Sequence, residues 1–190
     1  VHVYNNYFDG NSKYGVGATT GSSVFVENNY FRNCKSPMLI SKQGTDVFYD
    51  SKGTFSGEEG GMIKSFGNII LDARRFVDQN TSATDFDAIT VTSRNETVPS
   101  TYSTKLGGHT YNNFDTDSSI MYPYTPDSAI DARTKTMAYA GRVNGGDLKW
   151  TFNKAVDDTD YSVNAGLMDA VRAYRSSIVS IGGNSVDRGN

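Results

Sequence analysis

Val1-His2-Val3-Tyr4-Asn5-Asn6-Tyr7-Phe8 returns 23 residues later as Val24-Phe25-Val26-Glu27-Asn28-Asn29-Tyr30-Phe31. A repeat at a fixed period of this size marks a stacked architecture, in which each unit buries its apolar face against its neighbours. Each unit is short and alternates along its length, which predicts a strand rather than a helix. The Asn pair ends the strand at the same point both times, so stacking sets Asn6 against Asn29. An amide side chain carries two donors and an acceptor, and identical amides in register hydrogen-bond along a column. A third copy, Ile63-Lys64-Ser65-Phe66-Gly67-Asn68-Ile69-Ile70, puts Asn68 39 residues after Asn29, one 23-residue turn plus 16 inserted. These units predict an all-β chain, the later coils of a right-handed parallel β-helix with an asparagine ladder at one corner.

Working outward, alternation places Val1 and Val3, Val24 and Val26, and Ile63 and Ser65 on one inward face. Gly10-Asn11-Ser12 and Gly21-Ser22-Ser23 are turn signals, and Met38 to Ser41 suits a further buried strand. Residues 44–61, with five glycines and four acids, are too polar for a core and are expected to project as a loop. A further coil is expected around Ala88 to Thr92. The Thr-, Ser-, Asn- and Tyr-rich stretch 93–140 reads as long loops wrapped on the outside of the stack. Val163, Leu167, Ala170, Val171, Tyr174 and Ile178 recur at helical spacing. Asp157, Asp158 and Asp160 precede them as caps, Arg172 and Arg175 lie near the end, and Gly182-Gly183 stop the helix. The organisation expected is one domain over 1–190, with coils to 92, a loop-rich extension over 93–160 and an amphipathic terminal helix over 161–181.

The formal net charge is −3, with no run of like charge, so neither nucleic acid nor a membrane surface is an implied partner. A local basic strip on an acidic chain still suits a polyanionic substrate. Cys34 is the single cysteine, which excludes an internal disulfide and a cysteine-based zinc site. No apolar stretch approaches the length of a membrane span. Val1 opens in mid-pattern, without initiator Met or signal peptide, and the chain reads as a C-terminal piece of something longer.

The runs VHVYNNYF (1–8), YGVGATTGSSVFVENNYFRNCKSPMLISKQG (14–44) and KGTFSGEEGGMIKSFGN (52–68) resemble the later coils of pectate lyases of polysaccharide lyase family 1. The tail from Gly141 to Gly183 looks like the C-terminal extension of the Bacteroides-type members. The resemblance implies a right-handed parallel β-helix that cleaves de-esterified polygalacturonate by β-elimination. It implies calcium bridging enzyme and substrate carboxylates, an arginine base, and a monomer in a bacterial secreted, periplasmic or cell-surface setting. Cations suit this chemistry because negative charge grows beside an existing carboxylate, and hard oxygen ligands suit calcium. In the family the arginine belongs to an Arg-x-Pro-x-x-Arg motif just before the strand that begins here at Val1, and the calcium carboxylates lie earlier still. Neither is in this sequence. No catalytic residue and no calcium ligand is carried over, and the 190 residues alone are expected to be inactive. The missing upstream coils become an expected partner. The family's groove continues past the arginine, and Lys13, Lys35 and Lys42 are expected to form a basic column pairing with successive galacturonate carboxylates. Two other readings are a carbohydrate-binding β-helix without catalysis and a pectin lyase that acts on methylated pectin without calcium. A polygalacturonase needs clustered Asp residues on groove strands, and residues 14–18 and 38–42 offer none.

Other candidates have plainer explanations. Asp157, Asp158 and Asp160 lack the spacing of a calcium loop. Asp115 and Asp117 look like a turn, and Glu58-Glu59 like solvated surface. His2 and His109, the only two histidines, are too few for a zinc site or a visible triad. His2 is expected outward in an aromatic stack. Trp150 is expected to pack the tail against its helix rather than hold a sugar.

Overall fold

The computed structural model describes residues 1–48, 55–114, 116–117, 119–140, 148–160 and 162–175. They fall into two compact units, Val1–Ala140 and Gly141–Asn190.

Among its described residues the first unit holds nine short strands: β1 (His2–Tyr4), β2 (Tyr7–Asp9), β3 (Val16–Ala18), β4 (Ser23–Glu27), β5 (Tyr30–Arg32), β6 (Met38–Ile40), β7 (Met62–Phe66), β8 (Ile69–Leu71) and β9 (Ile89–Thr90). They form parallel sheets ordered β1-β4-β7-β9, β2-β5-β8 and β3-β6. His2 pairs with Phe25 and Phe25 with Lys64, while Tyr7 pairs with Tyr30 and Tyr30 with Ile69. The 23- and 39-residue steps of the sequence are therefore the register of the first two sheets. Val24, Val26, Ile63 and Ser65 are buried as alternation requires, whereas Val1 is exposed.

The expected all-β class, a right-handed parallel β-helix, is corrected. A right-handed β-helix is not shown, and the chain is mixed α/β, with parallel sheets of four, three and two strands and four helices among the described residues. The two-stranded sheet stops because the chain after β8 makes no third strand against β6. Instead Asp78 bridges to Ala88. Helix α1 (Thr45–Phe48) interrupts the stack, and α2 (Ala129–Tyr139) packs on β2 and β5. Residues 93–140 are thus not all loop. Ser128 caps α2 by accepting from the Asp131 N–H, and its hydroxyl donates to the Asp131 carboxylate. Only the small residues Ala129 and Ala132 are buried on α2, so it shows no apolar stripe in the sequence. Of the expected 44–61 loop, the ends are buried at Thr45, Asp46, Gly60 and Gly61, Gly57 and Glu58 are exposed, and residues 49–54 lie outside the described residues.

In the second unit α4 (Ala165–Ala173) lies inside the terminal helix expected over 161–181, while α3 (Lys154–Asp157) falls in the stretch expected to be loop. Asp157 lies within α3 and Asp158 at its C-cap, while Asn164 caps α4 by accepting from Leu167 N–H. Leu167 and Ala170 are mapped on α4, where Ala170 is half-buried. Trp150 stands against Gly166 of α4. Ile178 and Gly182-Gly183 lie outside the described residues.

The asparagine column joins the rungs of the first unit. Asn29 Oδ1 accepts from Asn6 N at 2.9 Å and Asn6 Nδ2 at 3.0 Å, and Asn68 Oδ1 accepts from Asn29 N at 2.8 Å and Nδ2 at 3.0 Å. Asn29 Nδ2 also donates to Val3 O at 2.9 Å and Glu27 O at 3.0 Å. The preceding residue bends the chain on every rung, with φ of 53° at Asn5, 50° at Asn28 and 63° at Gly67. Asparagine and glycine tolerate that left-handed conformation best. Asn5 and Asn28 then both donate to Asp127 O, tying the entry of α2 to the stack. Asn29→Ala is expected to cost about 2–3 kcal/mol, because it orphans buried donors and acceptors on three rungs. Asn6→Ala, at the exposed edge, is expected to cost about 1 kcal/mol. Urea midpoints of the two variants check the difference, and equal midpoints would refute it.

Candidate functional site

The turns between the second and third sheets carry the cations. Lys35 N–H donates to Asn11 O at 2.9 Å, and Arg75 N–H donates to Lys35 O at 2.9 Å. Asn11, Lys35 and Arg75 thus succeed one another, one per rung. Arg74 N–H donates to Cys34 O at 3.2 Å, one residue before. Lys13 stands two residues along the first turn, its Nζ 6.0 Å from the centre of the Tyr14 ring. Beside them Arg32 pairs with Asp9 at 2.8 Å. Neighbouring parallel strands lie about 4.8 Å apart, which sets the backbones of Lys35 and Arg75 one such interval apart on this edge.

Of the three lysines expected in one column, the structure brings Lys13 and Lys35 to adjacent turns. Lys42 lies past the far end of β6, on the other edge of the two-stranded sheet, with φ of 55°. Arg74 and Arg75 went unread, although the phase was available. Counting six or seven residues on from Asn6, Asn29 and Asn68 arrives at Lys13, Lys35 and Arg74-Arg75.

The strand beside this edge is covered by an aromatic residue from the 44–61 insertion. Val16, Ala18, Met38 and Ile40 face the core, which leaves Gly17 facing outward. Phe55 lies on Gly17, where a Cβ would strike its ring, and meets Tyr14 edge-on at 4.6 Å. Asp46 closes the insertion, accepting from Lys42 N at 2.8 Å and from Phe55 N at 3.0 Å. A second carboxylate fixes the insertion from below. Asp87 Oδ1 accepts from Thr45 N at 2.8 Å and Thr45 Oγ1 at 3.1 Å, while Oδ2 accepts from Val77 N at 3.0 Å. Asp85 accepts from Gly44 N at 2.6 Å and pairs with Lys105. Burial pushes the Asp87 carboxyl up to about 7 against the pull of its three donors.

A third carboxylate is buried under the wrapping segment on the outer face of the four-stranded sheet. Glu27 is fully buried. Its Oε1 accepts from Arg94 Nε at 2.6 Å, and its Oε2 accepts from Tyr124 O–H at 2.8 Å and meets His2 Nε2 at 3.1 Å. Burial holds the His2 imidazole below its ordinary value despite the Glu27 carboxylate beside it. His2 stacks on Tyr4 and Phe25 at 4.5 and 5.2 Å. Arg94 lies over the Tyr124 ring at 4.7 Å. Glu27 stands in register between Tyr4 and Phe66.

His109 pairs with Glu59 at 2.6 Å and stacks on Tyr111, a half-exposed pair that ties two loops together. Cys34 is buried, and burial raises its thiol above the ordinary value, so it is not poised as a nucleophile. Among the described residues no group of three or more His, Cys, Asp or Glu is placed to hold a metal ion, and no helix is long and apolar enough to cross a membrane. Compared with protein-family models, curated proteins and solved structures, the chain finds no match.

Proposed function

We propose that this chain is the distal, substrate-holding part of a pectate lyase-type enzyme, in which the Lys13–Lys35–Arg75 edge pairs with the carboxylates of a de-esterified polygalacturonate strand. The reading is carried by one observation: cations on successive turns of the chain, Lys35 and Arg75, are joined backbone to backbone at one-rung spacing. A uronate polymer presents one carboxylate per sugar, and a series of cations at strand spacing meets such a series better than isolated surface charge does. Tyr14 and Phe55 add aromatic area beside that edge. In this reading the base and the calcium carboxylates come from other parts of the enzyme, and the setting is bacterial and secreted, periplasmic or cell-surface. The described residues do not fit a calcium ion: the neighbouring carboxylates Asp85 and Asp87 are already held by Lys105, Gly44, Thr45 and Val77.

The test couples binding to turnover. Polygalacturonate is expected to bind this chain, to bind more weakly as salt rises, and to lose about tenfold in affinity in the Lys13→Glu, Lys35→Glu double variant. Ultraviolet absorbance of unsaturated product is expected only from a longer protein that supplies those parts, and only with calcium. Binding without product in that longer protein would favour a carbohydrate-binding module. Salt-insensitive or absent binding would remove the proposal.

A further inference from the structure

We propose that the cavity over Lys64, on the outer face of the four-stranded sheet, is a pocket for a single uronic acid residue. The cavity measures about 510 Å³ and is lined by Lys64, Glu96, Asn112, Asn113, Phe114 and Thr116, among others. That is within the range of small-molecule sites, roughly 300–1,000 Å³. It lies apart from the basic turns, and its chemistry does not depend on them.

Lys64 is the reason to expect an acidic ligand. Its side chain comes from the middle of β7 and is only 3 % exposed. A lysine so deeply buried calls for partners on its ammonium. Nζ donates to Arg94 O at 2.7 Å and lies 4.9 Å from the centre of the Phe25 ring. An ammonium has three donors, so a hydrogen bond and a ring leave capacity for a carboxylate at the cavity wall. Burial lowers the pKa of this lysine, against the upward pull of the Glu96 and Glu27 carboxylates nearby.

Glu96 decides which acid. Its Oε2 accepts from Thr92 N at 2.9 Å, Thr92 Oγ1 at 3.1 Å and Ser93 N at 3.3 Å, which holds the carboxylate in place. A bare anion gains from Lys64 but is repelled by Glu96. A sugar acid presents its carboxylate to Lys64 and a hydroxyl donor to Glu96, so it gains from both. The amides of Asn112 and Asn113 and the hydroxyl of Thr116 add the mixed donors and acceptors that sugar hydroxyls need, and Phe114 adds an apolar wall.

The experiment is a titration of the protein with D-galacturonate, D-galactose and acetate, followed by the side-chain amide resonances of Asn112 and Asn113. Galacturonate is expected to shift them saturably, with galactose and acetate each at least tenfold weaker. Lys64→Met is expected to weaken galacturonate at least tenfold while leaving galactose unchanged. Should that variant fail to fold, Glu96→Gln carries the test, being at the exposed surface. It is expected to weaken galacturonate about threefold and to strengthen acetate, a crossing that a merely structural role would not produce. No saturable shift with galacturonate, equal binding of galactose, or both acids moving the same way in Glu96→Gln would overturn the proposal.

Discussion

Glu27→Ala is expected to destabilise the Val1–Ala140 unit by about 3–5 kcal/mol, the cost of removing one partner from a buried, hydrogen-bonded ion pair. Three groups lose their acceptor at once: the Arg94 guanidinium, the Tyr124 hydroxyl and His2 Nε2. All three converge on the outer face of the first sheet, and two of them belong to the segment that wraps it. The damage is therefore expected to include release of residues 94 and 124 from the sheet and entry of water onto Phe25. Glu27→Gln separates charge from shape. It keeps an acceptor for Arg94 but places an amide donor toward His2, whose low pKa keeps the ring neutral. His2 then turns its bare nitrogen toward the introduced amide and carries its proton on Nδ1, a buried position with no partner among the described residues. A cost of about 1–2 kcal/mol is expected for that variant. Urea unfolding at pH 7 reads both. The double variant with Arg94→Ala is expected to cost about 1–3 kcal/mol less than the sum of the singles. Additive costs would show that the pair contributes no coupling and that Glu27 acts through packing alone.

The residues around Glu27 mark the limit of what the sequence discloses. Local repetition predicted the first two sheets, their register and the column Asn6–Asn29–Asn68, because those contacts join like to like at a constant step. It also placed cations on the turns that follow, though Arg74 and Arg75 were passed over for Lys42, which the length of β6 carries to the other edge. What repetition does not encode is what covers the stack. Phe55 on Gly17, Asp46 between Lys42 and Phe55, and Arg94 on Glu27 each join unlike segments across an irregular span, and none leaves a periodic trace. The class was misjudged for a related reason. Helix α2 turns small residues and Arg133 toward the sheet, with the guanidinium 5.6 Å from Tyr7 and 5.4 Å from Tyr30, so it lacks the apolar stripe by which a helix is read. In the tail, the acids chosen as caps sit in and after α3, while an asparagine, a residue equally suited to capping, starts α4.

The insertion that carries Phe55 is expected to loosen as pH rises, and Asp87 is the cause. Its carboxyl goes from an ordinary 3.8 to about 7 on folding. A raised carboxyl means that the folded state holds a proton the unfolded state has given up. Stability from this group is therefore complete below pH 3.8 and is lost as pH climbs to about 7, at a total cost of about 4 kcal/mol. Asp87→Asn keeps the shape without the titration. The difference in unfolding free energy between wild type and Asp87→Asn is expected to shift by that amount between pH 4 and pH 8, against wild type at the alkaline end. Taking the difference cancels the carboxylates that do not interact with Asp87, and neighbouring Asp85 modulates what remains. A flat difference curve would show that the donors from Thr45 and Val77 outweigh burial and hold the group as a carboxylate throughout. The loss has a local consequence. Thr45 opens α1, Asp46 follows it, and Asp46 holds Phe55 N–H, so an opening that rehydrates the ionised Asp87 is felt next at Gly17 and Tyr14 beside the basic edge. Amide exchange at Phe55 is accordingly expected to accelerate beyond its intrinsic pH dependence between pH 6 and pH 8 in wild type, and to show no such excess in Asp87→Asn.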